Sequence, residues 1–241
     1  MVDINGAVVL VTGANGGLGS EFVTQALARG ASKVYATARH PREWDDERIV
    51  PLTLDVNDID SITWVAERAS DVTVLVNNAG VSPRTPQLME TGIAELNRVM
   101  ATNFFGPVLV TQMFSPVLAK AESPAVVNVL SAASWNSVGG IYSASKAAFW
   151  SASNSSRVEL GKLGIHVLGV HAGFIDTPLS ANIPLPKISA SSVIDDTWDA
   201  LERGDYEVLV DETSLKARRE LSGDIFEQYP ELADLHSEPE L

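Results

Sequence analysis

The sequence has no cysteine, and its four histidines fall without metal-ligand spacing. A disulfide framework and a thiolate metal site are excluded, and a structural metal is not expected. Long apolar runs are missing as well: none approaches the ~20 residues needed to cross a bilayer. Basic residues are scarce, 17 Lys and Arg against 31 Asp and Glu, and the formal charge of −14 speaks against nucleic acid or an anionic membrane surface as a partner. Linkers, repeats and low-complexity tracts are absent too, so residues 1–241 read as one domain with a sizeable core. The start, Met1-Val2-Asp3-Ile4-Asn5-Gly6, lacks the basic residues and apolar stretch of a secretion signal, which sets the expectation of a cytoplasmic protein.

What is present is alternation. Short β-branched runs at Ala7 to Val11, Val34 to Thr37, Val50 to Leu54, Val72 to Val76, Ala125 to Val129, Ile165 to Val170 and Glu207 to Val210 read as strands separated by amphipathic stretches. This pattern predicts an α/β fold with a parallel sheet covered by helices on both faces. Leu18, Phe22, Ala26 and Leu27 recur at helical spacing, with Gly30 placed to end that helix. Ala94 to Val117 reads as a long helical region interrupted by Gly106-Pro107, and Tyr142 to Leu160 as another. The Ala and Ser of the latter suit close packing against a neighbour, a second subunit included. Residues 231–241 form an acidic end expected to be a loosely held tail.

Thr12-Gly13-Ala14-Asn15-Gly16-Gly17-Leu18-Gly19 follows the first strand and opens a helix. Glycines there let the backbone approach a diphosphate, whose charge is met by the N–H groups of the helix start, so this turn predicts dinucleotide binding. At the end of the second strand stands Thr37-Ala38-Arg39-His40-Pro41-Arg42. No acid occupies the position that favours a free ribose 2′-hydroxyl, and Arg39 offers a planar cation for a 2′-phosphate. NADP(H) is therefore expected, with NAD(H) left open. The missing acid also argues against a methyltransferase using S-adenosylmethionine.

Tyr142-Ser143-Ala144-Ser145-Lys146 places a phenol and an ammonium four residues apart, on one face of a helix. A lysine charge there can stabilise a phenolate, and such a pair can move protons.

Taken in order, the glycine turn, Asn77-Asn78-Ala79-Gly80, Asn103, Ser131 and Tyr142 with Lys146 resemble the short-chain dehydrogenase/reductase family, from about Ala7 to Thr177. The resemblance implies a three-layer Rossmann fold with a doubly wound, seven-stranded parallel sheet, and NAD(P)-dependent interconversion of a carbonyl compound and an alcohol. It implies that Gly13, Gly17 and Gly19 line the diphosphate and that Asp55 and Val56 hold the adenine edge. Asn78, Ala79 and Gly80 would run beside the nicotinamide ribose. Gly173, Ile175 and Thr177 match the segment that fixes the carboxamide. By the same resemblance Tyr142 is the general acid/base, Lys146 lowers its pKa and binds the ribose, Ser131 holds the substrate oxygen, and Asn103 anchors a water in a proton relay.

The sequence departs from that pattern in three places. Ala172 stands where proline is usual before Gly173, which is expected to loosen the turn. The stretch from Ser131 to Tyr142 is about two residues short. The glycine-rich ending after the last strand is replaced by Val210-Asp211-Glu212-Thr213 and then Lys216-Ala217-Arg218-Arg219, so a homodimer is expected, with a tetramer left open.

A substrate region is expected over residues 174–200. The pocket is expected between Val81-Ser82-Pro83, Trp135, Val138, Ile141, Phe174, Leu179 and Ile183. These are largely apolar, without a basic cluster for a carboxylate or phosphate, which favours a neutral, hydrophobic ketone or secondary alcohol. Trp135 is read equally as a lid over the loop. Two competing readings are a silent NADP-binding sensor and a sugar-nucleotide epimerase or dehydratase. The sensor commonly lacks the tyrosine or lysine kept here, and the epimerase needs more chain after Thr177.

Overall fold

In the computed structural model, which describes residues 2–85 and 87–234, seven strands form one sheet whose inner strands are buried between helices and whose two edge strands are partly exposed. The strands are β1 (Val8–Thr12), β2 (Lys33–Ala38), β3 (Ile49–Thr53), β4 (Val74–Asn77), β5 (Ala125–Val129), β6 (His166–His171) and β7 (Glu207–Leu209). All seven pair in parallel in the order β3-β2-β1-β4-β5-β6-β7. The chain starts in the middle, winds to one edge, then returns and winds to the other. This is the doubly wound Rossmann arrangement, and it sets a crevice where the winding reverses, between β1 and β4.

Alternation along each strand assigns the two faces. Val9 and Val11 point into one core with Val74, Val76 and Val127, while Leu10, Leu75 and Val126 point into the other. The first core is closed by α1 (Leu18–Ala28) and α6 (Ala190–Arg203), whose Phe22 and Trp198 meet edge to face at 5.4 Å. The second is closed by α2 (Ile59–Arg68) and α4 (Gly106–Leu118) through Ile62, Val65, Val110 and Phe114.

Gly106-Pro107 does not interrupt the long helical region as expected. α3 (Ile93–Met100) runs through a π-helical turn, Ala101–Phe105, directly into α4. Pro107 lacks the N–H that would bond the carbonyl four residues back, and the wider turn absorbs that mismatch. The Tyr142 helix, α5 (Ile141–Gly161), is continuous. After β7 comes α7 (Glu212–Glu220), capped by Asp211, whose carboxylate accepts from Ser214 N at 2.8 Å. Of the acidic tail, Glu231–Asp234 form a short helix, and residues 235–241 lie outside the described residues. Among the described residues no helix is long and apolar enough to cross a membrane.

The segment expected to serve the substrate divides in two. Residues 174–189 form an irregular loop, closed by Ile188 N donating to Phe174 O at 3.0 Å and Asp176 N donating to Ile188 O at 2.8 Å. Residues 190–200 instead begin α6, whose Val193, Ile194 and Trp198 are core. Their apolar spacing belongs to the contact with α1.

Candidate active site

The glycine turn is shaped by backbone need. Gly13 and Gly17 have φ of 69° and 55°, a region that side chains resist. A Cβ on Gly19 would overlap the Gly13 carbonyl oxygen, and one on Gly13 would stand 3.1 Å from the Ala79 Cα. The turn is thus folded tightly against the end of β4. Thr12 Oγ1 knits the two together, donating to Val76 O and accepting from the N–H groups of Asn78 and Ala79. Asn78 Nδ2 donates to Thr12 O at 2.8 Å. No side chain caps the start of α1; Gly19 N donates to Gly16 O at 3.1 Å, and the other N–H groups of the first turn suit the helix start to an anion.

On the opposite side of the turn, Asn15 ties the loop to the end of β2. Its Nδ2 donates to His40 O at 2.6 Å, and its Oδ1 accepts from Arg42 N. Arg39 is exposed beside it and has no hydrogen-bond or ion-pair partner among the described residues. Arg42 lies 3.8 Å over the Trp44 ring. Asp55 follows β3, its N donating to Ser61 Oγ and its Oδ1 accepting from Asn57 N. Val56 is buried beneath Gly106, where a Cβ would come within 2.9 Å of it. Thr177 comes back to the turn from the far end of the chain: a Cβ on Gly17 would lie 3.3 Å from it. The Ile175 carbonyl accepts from Ser180 Oγ.

Asn103, Ser131, Tyr142 and Lys146 meet at the ends of β4 and β5. Asn103 is 1% exposed on the π-helical turn. Its amide clamps the Val81 backbone at both ends, accepting from N at 2.8 Å and donating to O at 3.0 Å, and also donates to Ser145 Oγ. Ser145 donates in turn to the Tyr142 carbonyl. Gly80 sits between: a Cβ there would be 3.4 Å from Asn103 Oδ1 and 3.9 Å from Lys146 Nζ.

Lys146 is 4% exposed and donates to Val129 O at 2.7 Å, with its ammonium 5.7 Å from the centre of the Tyr142 ring. Burial lowers its pKa to about 8. Burial pushes the Tyr142 phenol up, and the bond to the Ser131 hydroxyl pulls it back. Ser131 Oγ also accepts from Ala133 N and donates to Ala172 O. Ala172 does not loosen this turn. Its carbonyl also accepts from Ala132 N, and Gly173 N donates to Asp211 Oδ2 at 2.8 Å, so both sides of the residue are held.

Trp135 is not where a pocket wall would be. It is 3% exposed, stacked on His171 at 3.9 Å, edge-on to Trp150, and covered by Arg218. The replaced C-terminal ending explains this, because α7 brings Ala217 and Arg218 onto the indole. Val138 is 75% exposed, Leu179 is also exposed, Phe174 and Ile183 are partly so, and Ile141 is buried. Near Val81-Ser82-Pro83, Arg98 is already committed to Glu95 and to Ser82 O.

A family model described as short chain dehydrogenase matches residues 7–187. The chain belongs to the short-chain dehydrogenase family. It is similar to a short chain dehydrogenase from Burkholderia cenocepacia J2315, solved in complex with NADP, at 33% identity and a TM-score of 0.88, covering 99% of this chain and 100% of that one. It is also similar to the short-chain dehydrogenase PC-15 of Penicillium crustosum, 36% identical over 209 residues, which are 79% of this chain and 73% of that protein. A third relative is the NADPH-dependent 1-acyldihydroxyacetone phosphate reductase of Schizosaccharomyces pombe, 31% identical over 196 residues, covering 77% of this chain and 65% of that one.

Within this short-chain dehydrogenase, several residues that build the site escape a reading of the sequence. Thr12, Ser145 and Asp211 support it, each through two or more hydrogen bonds, and serines, threonines and aspartates at element ends carry no distinguishing signal. His171 had one: a second histidine closing β6 after the apolar run that follows His166, directly before Ala172-Gly173.

Proposed function

We propose that the chain is an NADP(H)-dependent oxidoreductase that interconverts a neutral, hydrophobic ketone or aldehyde and the corresponding alcohol, with Tyr142 as general acid/base. The observation that carries this reading is the meeting of Tyr142 and Lys146 beside Ser131: a buried ammonium 5.7 Å from the centre of the phenol ring, and a serine that draws the phenol's pKa back down.

The residues present fit the cofactor. Gly13, Gly17 and Gly19 leave a cradle that side chains would fill, and the start of α1 is uncapped. Arg39 stands free at the end of β2 for a 2′-phosphate, with Asp55 and Val56 at the neighbouring strand end for the adenine. Asn78, Ala79 and Gly80 would border the nicotinamide ribose, and Gly173, Ile175 and Thr177 the carboxamide. NADP in the Burkholderia relative and the NADPH-dependent name of the fission-yeast one support the same choice. When bound, NADP(H) supplies or takes up the hydride of the reaction.

The protein's own work is proton management. Tyr142 Oη holds the proton that the substrate oxygen takes up in reduction and returns in oxidation. A free phenol titrates near ~10, and bringing it to neutral pH takes roughly 4 kcal/mol of differential stabilisation of the phenolate. The Lys146 ammonium contributes by charge. It spends one of its three donors on Val129 O and keeps the others for ribose hydroxyls. Ser131 Oγ orients the substrate oxygen toward Tyr142. Asn103, whose Oδ1 accepts from Val81 N, would anchor a water in a proton relay to solvent.

Val138, Phe174, Leu179 and Ile183 are apolar and at least partly exposed, and Arg98, near Val81-Ser82-Pro83, is neutralised by Glu95. This favours substrates without a carboxylate. Self-association as a homodimer in the cytoplasm completes the reading. A panel of aryl and aliphatic ketones with NADPH, followed at the absorbance of the reduced nicotinamide, tests it. Turnover of apolar ketones is expected, and tight NADPH binding without turnover of any carbonyl compound contradicts it.

A further inference from the structure

Behind Ser131 lies a buried polar cluster that the proton-transfer chemistry leaves unused. His171 ends β6 with no exposure at all. Its Nδ1 lies 3.1 Å from the Ser131 carbonyl, which also accepts from Ser134 N at 3.0 Å. The ring is stacked on Trp135, 15° from parallel. Its Nε2 faces Glu207 Oε1 at 3.7 Å.

Glu207 is in turn held from every side. Trp150 Nε1 donates to it at 3.0 Å, Arg157 Nη1 lies at 3.4 Å and Arg218 Nε at 3.9 Å. Arg157 crosses β6 at Gly169, where a Cβ would stand 2.7 Å from its Nη2. That guanidinium also donates to Tyr206 O and Val167 O. Four elements therefore converge on one carboxylate: α5, which carries Tyr142 and Lys146, then β6, β7 and α7.

Both ring nitrogens of His171 face acceptors. In the neutral ring the proton belongs on Nδ1, where the Ser131 carbonyl takes it, and Nε2 is left without a hydrogen bond. A leucine would fill the same space without that unsatisfied atom. The cost is met at one place, the backbone of Ser131. We propose that His171, backed by Glu207, is a positioning residue that fixes the Ser131 backbone and so aims the Ser131 hydroxyl at the Tyr142 phenol. This rests on the roles given above to Ser131 and Tyr142. The replaced C-terminal ending acquires a purpose with it, since α7 supplies Arg218 to the rings and carboxylate that hold His171.

The test uses the full chain with NADPH and the aryl ketone that wild type reduces fastest, with kcat expressed per NADPH site titrated by nucleotide fluorescence. A purely structural His171 would lower the number of sites and the Tm, leaving kcat per site unchanged. His171→Leu is expected to lower kcat per site by about tenfold or more, on the scale where a 1 Å misplacement costs ~10²-fold, with NADPH affinity kept within about twofold. His171→Asn, whose amide can donate to the Ser131 carbonyl, is expected to recover most of the loss, and Glu207→Gln to fall between. Unchanged kcat per site in His171→Leu overturns the proposal, as does equal loss in the Asn and Leu variants. Should His171→Leu not fold, unchanged kcat per site in Glu207→Gln overturns it. Wild type inert toward every ketone overturns the proposed function and this inference with it; an active wild type, an impaired Ser131→Ala and a normal His171→Leu overturn this inference alone.

Discussion

Lys146 Nζ donates to the Val129 carbonyl at 2.7 Å, which ties the middle of the α5 first turns to the last residue of β5. Ser131 follows Val129 by two residues, so one buried ammonium fixes the distance between the helix that bears Tyr142 and the loop that bears Ser131. The charge is costly there. Burial lowers the Lys146 pKa to about 8 from 10.5, so between those values the unfolded chain binds a proton that the folded one has released.

Stability of the ligand-free protein should therefore carry a signature of this lysine. A depressed folded pKa gives a contribution present above pH 10.5 and lost as the pH falls through about 8. Urea unfolding of wild type and Lys146→Met at pH 7 and pH 10.5 is expected to show wild type gaining up to about 3 kcal/mol relative to the variant at the higher pH. Parallel behaviour of the two proteins would contradict the assigned burial.

Gly19 and Gly16 offer a matched pair. A Cβ on Gly19 overlaps the Gly13 carbonyl oxygen, whereas one on Gly16 meets nothing within 4 Å. Gly19→Ala should destabilise by about 1–3 kcal/mol and weaken NADPH binding by roughly tenfold or more. Gly16→Ala should stay within about 0.5 kcal/mol of wild type. Denaturant midpoints and nucleotide fluorescence quenching measure both.

Arg39 has no hydrogen-bond or ion-pair partner among the described residues, while Arg42 is stacked on Trp44. Arg39→Asp should remove the preference for NADP(H), raising the KM for NADPH by roughly tenfold or more while improving that for NADH. An unchanged ratio of the two KM values would place the 2′-phosphate elsewhere.

Much of this was readable before any coordinates, for identifiable reasons. β-branched runs gave all seven strands within about two residues, because a parallel sheet buried on both faces leaves little other use for Val9 to Val11 or Val74 to Val76. Gly13 and Gly17 were legible because positive φ and close approach select glycine. The π-helical turn around Asn103 was not, since Gly106-Pro107 looks like a break when only local rules are applied. Trp135 was misplaced because its burial depends on residues 150, 171 and 218 meeting in space, which no spacing announces. Glu207 is silent for the same reason.

The pKa of Glu207 is lowered to about 2, first by the His171 ring beside it, against burial and with help from Trp150 and Arg157. A carboxylate with a depressed folded pKa contributes stability that is complete above pH 4.5 and lost as the pH falls through about 2. The stability difference between wild type and Glu207→Gln should accordingly shrink from pH 6 to pH 3 in thermal unfolding. A difference constant over that range would mean that the carboxylate is not held by its neighbours.

The assignment of Tyr142 as proton donor and acceptor is tested most directly by Tyr142→Phe, assayed for NADPH-dependent ketone reduction and, in parallel, for NADPH affinity. The ring, its place on α5 and the Lys146 bond to Val129 all survive that change, and only Oη is lost. Turnover should fall by about 10³-fold or more with NADPH affinity within about twofold of wild type; a variant that still reduces the ketone at a rate near wild type would contradict the account.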